Sequence, residues 1–247
     1  MDIPAAQAPR VDFLIVGAQK AGTTALFDHL SDEPAYGLSR IKEVHFFDDD
    51  SRDWGCPDYG AYHSEFPADA GLIRGEATPI YLYWPQSLER IAAYNPQIRL
   101  IVMLRDPVER AWSHWRMERA RGETEPFSWC IRQGRARLLA ATPWGHHRDF
   151  SYVERGFYGE QVERLFGLFP RDQVLLVRAE DLRTDPTAVL TQVSRFLGAP
   201  PPAPVPPRQV HVGRDMPGLG QEDVAYLRRL YARDMARLAD LTGQSFW

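Results

Sequence analysis

The apolar run Phe13-Leu14-Ile15-Val16 leads directly into Gly17-Ala18-Gln19-Lys20-Ala21-Gly22-Thr23-Thr24, and this junction constrains the fold more than any other stretch of the chain. A short apolar run without polar alternation belongs to a strand buried on both faces. Gly17 lets the backbone turn sharply with no side chain in the way. Thr23 and Thr24 then open a helix through Leu26, Phe27 and Leu30. The first N–H groups of such a helix have no intrahelical partner and sit at the positive end of its dipole. A strand, a glycine-bounded turn and a helix start therefore make a site for an anion, with the threonine hydroxyls as further donors.

The chain has 29 lysines and arginines together, and only Lys20 and Lys42 are lysine. Lysine is a compact point charge on a flexible stem, whereas arginine is a planar fork, so the two lysines are singled out. Lys20 lies in the anion-binding turn, and Lys42 opens Lys42-Glu43-Val44-His45-Phe46-Phe47. Gly17 and Gly22 have the spacing of a nucleotide-hydrolysing phosphate loop, but Thr23 stands where that loop carries its lysine. A later apolar run, residues 99–104, ends in Arg105-Asp106-Pro107, with arginine first where a magnesium-binding acid is expected. Asp106 before Pro107 reads as a helix N-cap. A magnesium-dependent NTPase or kinase is disfavoured.

Short apolar runs predict strands near 12–16, 72–75, 99–104 and 173–178. Helical periodicity predicts helices at 23–31, 85–94, 107–121, 158–168, 186–197 and 221–241, with Pro85 and Pro107 in first turns. Alternating strands and helices imply an α/β fold, a P-loop-like three-layer arrangement with a central, mainly parallel sheet flanked by helices. One domain is expected over 1–247, with residues 1–10 a loose lead-in. A proline-rich loop, 198–218, precedes the last helix and runs extended.

The length suffices for a full core without disulfides or metals. A formal net charge of −4 gives no overall basic field for nucleic acid or an anionic polysaccharide. Cys56 and Cys130 make no disulfide framework and lack metal-ligand spacing, and His146-His147 reads as a loop feature. No metal site is expected. No apolar stretch reaches the length of a membrane span and no signal segment stands at the N-terminus, so a cytoplasmic location is expected. Heavy use of arginine, alanine and proline points to a GC-rich bacterial genome.

Three motifs in order, Gly17 to Ala25, Lys42-Glu43 to Phe47, and Leu104-Arg105-Asp106-Pro107-Val108-Glu109-Arg110-Ala111-Trp112-Ser113, resemble those of the sulfotransferases that use 3′-phosphoadenosine-5′-phosphosulfate (PAPS). The branch most resembled contains the heparan sulfate N- and 3-O-sulfotransferases and their bacterial relatives. The likeness continues through Arg74-Gly75-Glu76-Ala77-Thr78-Pro79 and Glu180-Asp181-Leu182 to the last helix. It implies that Gln19, Lys20, Ala21, Gly22, Thr23 and Thr24 hold the donor's 5′-phosphate, with Lys20 also stabilising charge on the leaving group. It further implies that Arg105 and Ser113 bind the 3′-phosphate, and that 3′-phosphoadenosine-5′-phosphate (PAP) is the product. Arginine suits that task because its fork bonds two phosphate oxygens at once. The family's membrane-anchored Golgi members differ in having an anchor, which puts their glycan substrates in doubt here.

Glu43 is the candidate general base, matching the family's Lys-Glu motif; His45 is the rival, since imidazole titrates near neutrality. A basic loop with Arg208, His211 and Arg214 is a further candidate for donor contact, with Arg214 included among the expected ligands. The expected reaction moves a sulfuryl group to a hydroxyl of a small molecule with aromatic or apolar character. An amine acceptor, a glycan acceptor, and the different classes of P-loop kinase or non-catalytic nucleotide-binding protein remain alternatives. The oligomeric state is open.

Overall fold

The computed structural model describes residues 10–69, 71–207 and 218–247. Its strands are β1 (Phe13–Gly17), β2 (Tyr36–Leu38), β3 (Ile73–Ala77), β4 (Arg99–Leu104) and β5 (Val174–Arg178). They form one sheet in the order β2-β3-β1-β4-β5, and all four ladders are parallel. β1 is central and every one of its residues is buried, as its uninterrupted apolar run predicts. Burying side chains of this kind contributes roughly 1.5–3 kcal/mol each. The sheet is flanked by helices, which makes the fold α/β.

The helices are α1 (Thr23–Ser31), α2 (Tyr59–His63), α3 (Ser87–Tyr94), α4 (Pro107–Arg121), α5 (Phe127–Cys130), α6 (Tyr158–Leu168), α7 (Ala179–Thr184), α8 (Pro186–Leu197) and α9 (Gln221–Thr242). The six expected helices are present within two residues of their predicted ends. β2, at three residues, is an edge strand too short to leave a periodic signal, and α2, α5 and α7, at five, four and six residues, are too short as well. Pro85 is not in a first helical turn: α3 begins at Ser87, after Gln86 in the left-handed region at φ 63°. That conformation interrupts the helix before it can reach back to the proline.

Two junctions position the site. At the end of β1, a Cβ on Gly17 would lie 2.7 Å from Leu82, whose own N–H bonds the Val16 carbonyl at 2.9 Å. The turn after β3 therefore closes directly over the start of the loop 17–24. At the end of β4, Asp106 caps α4 by accepting from the N–H groups of Val108 and Glu109, with Pro107 in the first turn as predicted. Residues 199–207 have no regular structure, as their prolines predict, yet Val205 is pinned: Thr187 Oγ1 accepts from its N–H at 2.9 Å and donates to its carbonyl at 3.1 Å.

Candidate active site

Loop 17–24 has the backbone of an anion cradle. Ala18 N–H bonds the Met103 carbonyl at 2.7 Å, tying the loop to the end of β4. Lys20 and Gly22 both take left-handed backbone angles, at φ 69° and 89°. Gly22 is the N-cap of α1 and no side chain caps that end. The first amides of α1 are therefore left to an outside partner.

Lys20 is half-buried, and its Nζ lies 3.6 Å from Met117 Sδ on α4, with no carboxylate in salt-bridge contact among the described residues. Its pKa is lowered, first by burial and then by the charges of Arg121 and Arg105; Glu118 and Glu43 oppose the shift less strongly. A desolvated cation beside two guanidiniums favours an anion between them. Arg105 stands at the carboxyl end of β4, where open α/β sheets place ligands. It forms an ion pair with Glu109 at 2.7 Å, so an anion here must share or displace that carboxylate. Ser113 lies two turns further along α4 and is half-buried. Arg208, His211 and Arg214 lie outside the described residues.

The segment 42–48 forms a chain of alternating charges. Lys42 Nζ donates to Glu43 Oε1 at 2.6 Å, His45 Nε2 lies 3.6 Å from Glu43 Oε2, and His45 Nδ1 bonds Asp48 Oδ2 at 2.9 Å. Arg148 closes the series on the fully buried Asp48, bonding both its carboxylate and its carbonyl. Glu43 and His45 hold φ values of 63° and 55°, a strained conformation for residues with side chains. Their bonds to each other and to Lys42 and Asp48 set the protonation. His45 holds Glu43 down at about 2, with Lys42 assisting, and Asp48 and then Glu43 push His45 up to about 9. At neutral pH the pair is a carboxylate and an imidazolium. The imidazolium has no free lone pair, whereas the carboxylate can accept a proton.

This strained segment is held from behind. Glu43 N–H bonds the Ala77 carbonyl at 3.1 Å, and the N–H groups of Phe46 and Phe47 point to Tyr81 Oη at 3.0 and 3.4 Å. Tyr81 donates in turn to Glu76 Oε1 at 3.0 Å, as does Tyr62 at 3.0 Å, while Thr78 donates to Oε2 at 2.5 Å. Glu76 is fully buried with no ion pair among the described residues, so burial raises its pKa and three hydroxyl donors offset part of that penalty. The motif Arg74-Gly75-Glu76-Ala77-Thr78-Pro79 thus supports the segment carrying Glu43.

Sequence reasoning missed Arg148 and Arg155. Arg155 is buried, bonds the Gln19 side chain and the Arg148 carbonyl, and stacks 5.1 Å from the Tyr83 ring; burial lowers its pKa to about 10. It joins the loop 17–24 to the segment 42–48. In a chain so rich in arginine, neither residue carries a sequence signal. His147 accepts from the amides of Asp149 and Phe150, and His146 packs on Tyr83, so the pair is a loop feature. No group of three or more metal-ligating side chains occurs among the described residues. Phe46, Phe47, Tyr62 and Tyr81 pack into the core, while Trp144 is exposed. Cys56 is exposed and Cys130 buried, both as free thiols, and no helix among the described residues is long and apolar enough to cross a membrane.

Comparison with known proteins bears on this arrangement. The chain is 34% identical over 190 residues to human heparan sulfate glucosamine 3-O-sulfotransferase 3B1, covering 75% of this chain and 45% of that protein. It is 27% identical over 201 residues to human bifunctional heparan sulfate N-deacetylase/N-sulfotransferase 3, covering 76% of this chain and 22% of that protein. The chain thus spans under half the length of these curated relatives. A solved sulfotransferase from Alicyclobacillus acidocaldarius superposes with a TM-score of 0.79 at 30% identity, covering 96% of this chain and 97% of that one. The sequence model of the sulfotransferase domain matches residues 10–211, and the chain belongs to that family of sulfuryl-transferring enzymes.

Proposed function

We propose that the protein transfers a sulfuryl group from PAPS to a hydroxyl of a small molecule. The observation that carries this reading is Lys20: half-buried, without a carboxylate in salt-bridge contact among the described residues, and set in a left-handed turn at the uncapped start of α1. The 5′-phosphate would lie on the amides of Ala21 to Thr24 and on Lys20, with Gln19 braced by Arg155. The 3′-phosphate would take Arg105 from Glu109 and reach Ser113 on α4.

In the proposed reaction the acceptor oxygen attacks sulfur in line as its proton passes to a Glu43 oxygen. The bond from sulfur to the bridging phosphate oxygen breaks, and its electron pair leaves on PAP. Lys20 meets that developing charge, a contribution worth roughly 10²–10³ in rate when such a donor is removed. Glu43 is preferred over His45 as base because the imidazolium, bonded to Asp48, has no lone pair to offer at neutral pH. At about 2, Glu43 is a weak base in the free protein. An acceptor that draws Lys42 or His45 away from it would raise that value toward a useful range. His45 would then orient Glu43, and Lys42 is free to turn toward the transferring sulfate.

Calorimetric titration with PAP, beside ATP with magnesium, tests the donor. PAP should bind without metal and lose most of its affinity in Arg105→Ala. A preference for magnesium-ATP would overturn the reading.

A further inference from the structure

A buried arginine needs an anion or a full set of acceptors, because its charge is costly to remove from water. Arg155 has only part of that set. It is 2% exposed, forms no ion pair among the described residues, and its Nε is buried without a hydrogen-bond partner. It sits in a short 3-10 turn, Glu154–Gly156, that is pinned from several sides. Tyr231 of α9 donates to the Val153 carbonyl at 2.9 Å, Arg110 of α4 bonds the Tyr152 carbonyl, and Arg135 Nε reaches Glu154 Oε1 at 2.7 Å. A Cβ on Gly156 would lie 2.6 Å from Tyr231 Oη, so the turn sits flush against α9.

The two acceptors that Arg155 does have belong to opposite sides of the site. One Nη donates to Gln19 Oε1 in the loop 17–24, and the other to the Arg148 carbonyl at 2.5 Å. A guanidinium carries only N–H groups, so it fixes which end of an amide faces it. Gln19 must turn its oxygen to Arg155, and its NH2, which has no acceptor among the described residues, is the end left for a ligand. Unbraced, the amide could flip and present a lone pair to an anion. On the other side, Arg148 Nη2 donates to the Asp48 carbonyl at 2.5 Å and Nη1 to the Asp48 carboxylate, which holds His45 at 2.9 Å. Contacts thus run without a break from Gln19 through Arg155, Arg148 and Asp48 to His45, whose Nε2 is 3.6 Å from Glu43.

We propose that Arg155 is a positioning residue for both halves of the reaction: it locks the Gln19 amide with its NH2 toward the donor, and through Arg148 it holds Asp48 and His45 in place beside Glu43. The proposal rests on the sulfuryl-transfer reading above. With the donor bound, the Gln19 N–H groups face its anionic oxygens, and the phosphate charge gives the buried guanidinium the counter-charge it lacks. A lysine at this position could not serve both sides, because an ammonium is a point charge without a planar fork. A brace that served only the fold would leave donor affinity untouched by any substitution that kept the protein stable.

Calorimetry with PAP, beside thermal melting, on Arg155→Lys, Gln19→Ala and the double variant tests the donor half. Each single variant should weaken PAP roughly tenfold, the scale of one charge-assisted hydrogen bond, and the double variant should lose little more. Additive losses, or parent-like affinity in Arg155→Lys, would overturn the proposal. The base half is read from the His45 imidazole signal in NMR. Saturating PAP should move that signal in the parent and far less in PAP-saturated Arg155→Lys, and an equal response in both would count against the proposal decisively. Should Arg155→Lys fail to fold, Gln19→Glu decides: a carboxylate paired with Arg155 should raise the melting temperature yet weaken PAP roughly tenfold. A lower melting temperature or an unchanged affinity in Gln19→Glu would overturn the lock. A parent that binds no PAP would instead overturn the sulfuryl-transfer reading, and the melting temperature of Gln19→Glu, which needs no donor, would still report on the Arg155–Gln19 contact.

Discussion

The two sides of the site are built on opposite plans. Around loop 17–24 the geometry is local: consecutive residues turn, uncap a helix and leave the half-buried Lys20 without a carboxylate in salt-bridge contact among the described residues. Around segment 42–48 nearly everything is satisfied internally, by ion pairs running from Lys42 to Arg148 and by the Glu76–Tyr81 support behind. On the proposed reading the first would be the donor side, left wanting an anion, and the second the base side, whose charges pair with one another until a substrate disturbs them. A carboxylate held at about 2 is protected from idle protonation. As the proposed base it would become effective only when a ligand rearranges its partners.

The sharpest way to break this comparison is to remove one charge from each side. Lys20→Ala should cost on the order of 10²–10³ in kcat and also weaken PAP markedly. Glu43→Gln should abolish turnover as completely while leaving PAP affinity near that of the parent. Equal losses of PAP affinity in calorimetry would show that the two sides are not separate.

A smaller effect tests the support behind the base. Tyr81→Phe leaves the amides of Phe46 and Phe47 without their acceptor and removes one donor from Glu76. Denaturant unfolding should register a loss of about 1–3 kcal/mol, the usual cost of an unsatisfied buried group. The kcat should fall, because the left-handed angles at Glu43 and His45 lose their brace, while PAP affinity should hold. A drop in PAP affinity as large as that in kcat would contradict a support role confined to the base side.

The smallest effect is in pH. His45 is raised to about 9 from 6.5, so its contribution to stability is full below 6.5 and is lost as pH rises through 9. Glu43 is lowered to about 2 from 4.5, so its contribution is full above 4.5 and is lost as pH falls through 2. Both act together between 4.5 and 6.5. Both side chains are more than a third exposed, so screening keeps the effect small. Melting temperature followed across pH should show a shallow decline toward 9 that His45→Asn removes. A parent curve without that decline would mean His45 is not held charged.

Legibility from sequence divided along the same line. β1, loop 17–24 and α1 were readable because a central parallel strand must be apolar throughout and a tight turn demands Gly17. Asp106 and Pro107 announced the start of α4 by the same local logic. The short elements β2, α2, α5 and α7 were not readable, since three to six residues cannot establish a period. Pro85 misled because the left-handed Gln86 stops the helix short of it.

What the sequence determined by itself was the order of the longer βα units, the glycine-bounded turn that carries Lys20, and the Asp106-Pro107 start of α4. These follow from neighbours along the chain, where hydrogen bonding and backbone angles act over a few residues. Only the tertiary structure decided the protonation of Glu43 and His45, the clasp of Arg148 on Asp48, and the bridge of Arg155 from Gln19 to Arg148. The Arg148–Asp48 contact joins residues 100 positions apart, and the Arg155–Gln19 contact joins residues 136 positions apart. Charge and burial depend on what surrounds a group in space, and no local pattern in the chain records that.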